Sequence, residues 1–66
     1  MGVNHVLFRD EAGNVLAAVE WDTDEWIVFC DVTEECEWRH RHPDLAASCE
    51  AASAHIEFHG LVGAAR

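Results

Sequence analysis

The residues best able to do chemistry in this chain of 66 are three cysteines and five histidines. Thiolate and imidazole are the sulfur and nitrogen donors that zinc takes up in tetrahedral sets of four. His55 and His59 stand four positions apart, so on a helix they lie one turn above the other and about 40° apart around the axis. Two imidazoles so placed can hold one ion between them. Cys30 and Cys36 lie upstream with five residues between them, enough loop for both thiols to come round to one point. Cys30, Cys36, His55 and His59 are therefore the expected ligands of one structural Zn2+.

Other donors compete. Cys49 shares the inward arc of the same helix, but at 1.5 Å per residue it lies about 9 Å along the axis from His55 and about 15 Å from His59. It reads as a small buried hydrophobe. His40 and His42 alternate beside Cys36 and could replace one helical ligand or build a second site; the other reading puts them in a solvated basic patch, Arg39 to His42. His5 stands alone on the first expected strand and reads as a surface or core residue.

The segment His55-Ile56-Glu57-Phe58-His59 invites comparison with the His-Glu-x-x-His motif of zinc proteases. Its glutamate is one position late, which turns Glu57 away from both imidazoles and from any metal-bound water. Four protein ligands also close the coordination shell, as in structural rather than catalytic sites. Asp22-Thr23-Asp24-Glu25 lacks the glycine and the closing glutamate of a calcium loop. No glycine-rich phosphate loop is present, and so short a chain has little wall for a substrate pocket. The expectation is a protein that is not an enzyme.

The elements that must position these ligands follow from pattern. Residues 3 to 9 read as a strand, and Asp10 to Asn14 supply turn residues, two of which tolerate positive φ. In residues 15 to 21 the alternation places Val15, Ala17, Val19 and Trp21 on one face. Residues 26 to 30 are a β-branched and aromatic run, and 36 to 41 could form a fourth, extended piece. From Leu45 to His59 the chain is rich in alanine and free of glycine and proline. Pro43 or Asp44 suits its start and Gly60 its stop, which predicts a helix over 43 to 59. Leu61 could fold back on Ile56. The expected fold is α+β: a small antiparallel sheet of three or four strands packed on one C-terminal helix. Within a single domain over 1–66, residues 1–25 form an N-terminal hairpin extension, 26–60 the metal-binding unit and 61–66 a flexible tail.

A chain of this size buries only about 60% of the surface it exposes when unfolded, so a metal or a partner must supplement the core. Thirteen acidic residues face four arginines and no lysine, a formal net charge of -9. Zinc on two thiolates and two neutral imidazoles leaves that charge unchanged. Such a chain is a poor ligand for phosphate backbone. The expected partner is a protein rather than nucleic acid, with basic surfaces favoured. The odd cysteine count argues against a disulfide framework and for the reducing cytoplasm. No apolar stretch approaches a membrane span. Of Trp21, Trp26 and Trp38, an exposed interface anchor is expected at Trp26 or Trp38.

The pattern Cys30-x5-Cys36-x18-His55-x3-His59, spanning 30 of the 66 residues, resembles the Cys2His2 zinc fingers, in which a ββα unit closes on one zinc. The histidine spacing matches; x5 and x18 are wider than the usual two to four and about 12. With Trp38 soon after the second cysteine, the chain also looks like short zinc-finger-like proteins of high-GC bacteria and their phages. That likeness implies the host cytoplasm if phage-encoded. The net charge of -9 motivates an alternative role, of the kind a phage accessory factor has, as an acidic effector or inhibitor blocking a basic nucleic-acid-binding surface of another protein. The likeness to DNA-reading fingers stops at the first helical turns, which carry Asp44, Ala47 and Glu50 where fingers carry base-reading Arg, Lys, Asn or Gln.

Overall fold

The computed structural model describes residues 4–65. Its elements run β1 (His5–Arg9), β2 (Val15–Asp22), β3 (Glu25–Cys30), β4 (Arg39–His42), α1 (Leu45–Phe58) and β5 (Ala64–Ala65). The strands form one antiparallel sheet in the order β4-β3-β2-β1-β5. The α+β architecture is the expected one, with five strands rather than three or four. The fifth comes from the expected tail: Ala64 and Ala65 pair with Arg9 and Phe8. Val3 and Arg66, within the expected first strand and the tail, lie outside the described residues.

Alternation sorts the sheet into two faces. Val6, Phe8, Ala17, Val19, Trp26, Val28 and Cys30 share the face beneath α1, as the cross-strand pairs Val6–Val19, Phe8–Ala17, Val19–Val28 and Ala17–Cys30 require. The helix answers with Ala52 and Ile56, both essentially fully buried, and the core is Phe8, Leu16, Ala17, Val19, Trp26, Val28, Ala52 and Ile56. The first turn closes as its residues dictate: Gly13 takes φ 88° and the Asp10 carboxylate accepts from both the backbone and side chain of Asn14. The β2–β3 turn is less comfortable. Thr23 sits at φ 57°, a left-handed conformation that a β-branched side chain resists.

Both ends of α1 are capped by side chain and backbone. Asp44 is the N-cap and His59 the C-cap, so the helix runs over Leu45–Phe58 rather than 43 to 59, and the Asp44 carboxylate accepts from the Ala47 N–H at 2.9 Å. At the other end Gly60 turns left-handed at φ 76°. The Gly60 N–H then reaches Glu57 O at 2.8 Å and the Leu61 N–H reaches Ile56 O at 3.2 Å, the paired bonds of a Schellman stop. The expected strand over 36 to 41 is shorter and later. Cys36 donates its N–H to Thr33 Oγ1, which holds residues 31–38 in a loop and leaves only Arg39–His42 to pair with β3. No helix among the described residues is long and apolar enough to cross a membrane.

Candidate metal centre

Three elements deliver the four donors to one point. Cys30 ends β3 and is buried, its Sγ beside His59. Cys36 is carried in by the loop, whose tight turn at Thr33 fixes its backbone. His55 lies in the last turn of α1, and His59 is the C-cap residue. Donor atoms of Cys30, Cys36, His55 and His59 all lie within 4.8 Å of one another.

The individual separations carry more information than the cluster radius. His55 Nε2 stands 3.2 Å from His59 Nε2, Cys30 Sγ 3.5 Å from His59 Nε2, and Cys36 Sγ 3.4 Å from His55 Nε2. With Zn–N near 2.05 Å and Zn–S near 2.3 Å, the edges of a zinc tetrahedron are about 3.3 Å for N···N and about 3.6 Å for N···S. These three of the six edges fit that figure to within a few tenths of an ångström, and the other three are no longer than 4.8 Å. The donor set, two sulfurs and two nitrogens, is that of closed zinc sites.

The surroundings favour neutral nitrogen and a shielded ion. Burial, and then the neighbouring His59, hold His55 below its ordinary imidazole value, so its ring offers a lone pair at neutral pH. Burial, followed by the nearby Cys36, pushes the Cys30 thiol up; a cation is what such a pair of sulfurs needs to ionise together. Trp38 lies flat on the His55 ring, centroids 4.0 Å apart and planes 6° apart. It braces the imidazole against rotation.

The competing donors have other occupations. His42 Nδ1 accepts the Asp44 N–H at 2.9 Å, extending the helix cap. His40 shares its face of β4 and runs roughly parallel to Trp38, outside the donor cluster. Cys49 packs against the core, and burial raises its thiol. His5 is exposed beside Asn4, and Glu57 is exposed and takes no part in the cluster. The tryptophan expectation is corrected at Trp26, which is buried at 9% exposure because β2 and the helix-side face enclose it; Trp21, packed edge-on against it, is the exposed one at 44%. Trp38 is half-buried. Its brace on His55 was not legible in the spacing, since a loop residue's stacking partner has no period. Comparison with family models, curated proteins and solved structures finds no match.

Proposed function

We propose that the chain is a non-enzymatic protein-interaction module stabilised by one structural zinc ion on Cys30, Cys36, His55 and His59. The observation that carries this reading is the convergence of two sulfur and two nitrogen donors within 4.8 Å of one another, three of whose separations, 3.2, 3.4 and 3.5 Å, have the length of zinc-tetrahedron edges. When bound, zinc supplies a cross-link and charge neutralisation. The residues do the rest: Cys30 anchors the site to the sheet, Cys36 ties down the loop, and His55 and His59 secure the helix end. A filled shell leaves no position for substrate or activated water. Native mass spectrometry with and without chelator tests the reading: one zinc per chain is expected. A chain that carries no metal after expression and reconstitution with zinc refutes it.

A second reading, an acidic effector that covers a basic nucleic-acid-binding surface, draws on the loop 31–38, where Asp31, Glu34, Glu35 and Glu37 lie close in sequence and all four are exposed. It requires capture of the partner that fails at about 0.5 M salt, where the screening length falls to a few ångströms. An apolar contact persists under the same conditions.

A further inference from the structure

Helix α1 carries two apolar stripes, and the sheet covers only one. Ala52 and Ile56 face the core. Ala51, Ala54, His55 and Phe58 follow the i, i+3, i+4, i+7 spacing of a buried stripe, yet Ala54 is exposed and Phe58 is 81% exposed. Together with Trp38 they line a shallow groove of about 430 Å³. Its floor is held in place: Trp38 lies on His55, and His55 is tied into the donor cluster.

Acidic side chains predominate on the two elements that carry this groove. Glu50 and Glu57 are exposed and stand four positions before and three after Ala54, hence on the same helix surface. Trp38 ends the loop bearing Asp31, Glu34, Glu35 and Glu37. The described arginines are bound to other groups than these acids. Arg9 donates to Gly13 O, Arg39 lies over Phe29 and donates to Trp38 O at 3.0 Å, and Arg41 pairs with Asp22 and Glu25. Arg39 and Arg41 alternate with His40 and His42 on β4, which places them on the sheet face away from α1. Among the described residues the salt bridges are those of Arg41, and none of them involves Glu50, Glu57 or the loop acids.

We propose that this groove docks a basic amphipathic segment of a partner protein. One large apolar side chain enters between Trp38 and Phe58, and flanking lysines or arginines meet Glu50, Glu57 and the loop acids. The proposal rests on the interaction-module reading and names the surface and the charge of what it binds. A second copy, carrying the same -9, is repelled, as are phosphate backbone and anionic lipid.

The test uses the full zinc-loaded chain and a fluorescein-labelled amphipathic helical peptide with Lys and Arg on its polar face and Leu and one Trp on its apolar face. Fluorescence anisotropy is expected to show saturable binding, weakened roughly tenfold or more when Glu replaces the peptide's Lys and Arg, and likewise when Ala replaces its Trp. Phe58→Ser and, farther from the metal ligands, Ala54→Lys should each weaken binding by roughly tenfold or more with zinc content and circular dichroism unchanged. Val62→Ser, at an exposed valine outside the groove, should bind as the parent does. Absent binding, equal binding by the Phe58→Ser and Ala54→Lys variants, or equal binding of the peptide without its Trp overturns the proposal. So does a dimer in sedimentation that Phe58→Ser dissolves, which gives the groove to a second copy. Groove-dependent binding by a chain that holds no zinc would leave the groove standing and sink the metal reading instead.

Discussion

Chelation of the zinc proposed for Cys30, Cys36, His55 and His59 is the perturbation with the largest expected effect, and its size can be worked from the chain. A ligand that binds only the folded state, at a free concentration a thousand times its Kd, contributes about 4.1 kcal/mol. Structural zinc sites, with apparent binding energies of about 10–16 kcal/mol, reach that ratio at micromolar free zinc. A chain of 66 residues unfolds with an entropy of about 0.14 kcal/mol/K, at about 2.1 cal/mol/K per residue. Stripping the metal should therefore lower Tm by about 30 °C. The structural reason is local: past the Asp31 N–H bond to Leu16 O the loop 31–38 forms no strand, and among the described residues the backbone of Cys36 is held by its bonds to Thr33. Thermal melts followed by circular dichroism, with and without chelator, measure the shift, and native mass confirms that zinc has left. A verified metal-free chain whose Tm moves by less than about 5 °C, worth under about 1 kcal/mol, would refute the argument.

Cys36→Ser should abolish stoichiometric zinc binding, whereas Cys49→Ser and His42→Ala should each retain one zinc per chain by native mass; loss of metal from either of the latter would mean that the ligand set is wrong. Asp44→Ala removes the N-cap acceptor of Ala47 and should cost about 1 kcal/mol in urea unfolding. Thr23→Gly relieves a β-branched residue at φ 57° and should stabilise by about 1 kcal/mol, the left-handed penalty less the added chain entropy; no gain in the urea midpoint would place the turn in another conformation. In the zinc-free chain the folded state holds His55 below its ordinary 6.5, by burial and then by His59. The unfolded state then binds the proton first as pH falls, so this contribution is present above 6.5 and lost below it on the way to the lower folded value. Urea midpoints taken from neutral pH downward should fall, and a rise would reverse the sign of the argument.

Much of the site was legible before folding because its signals are local. The helix followed from an alanine-rich run without glycine or proline between Leu45 and His59, closed by Gly60, and the four-residue interval put His55 and His59 on one face for reasons of helical pitch alone. Alternation likewise placed Ala17 and Val19 together. Charge and size pointed to a metal-supplemented, acidic domain. What the interval rule could not decide was which other donors would meet the histidines, since Cys36, His40 and His42 were all close enough along the chain. That choice fell to the tertiary structure: β3 ends at Cys30 beneath the last helical turn, the Thr33 turn keeps Cys36 out of the ladder, and the late start of β4 sends His42 to the helix cap. The same holds for Ala64–Ala65, two residues with no strand signature that pair only because β1 offers an open edge, and for Trp26 and Trp21, whose burial depends on neighbours distant in sequence. Local periodicity sets which way a side chain points; only the packing of one element on another sets what it meets.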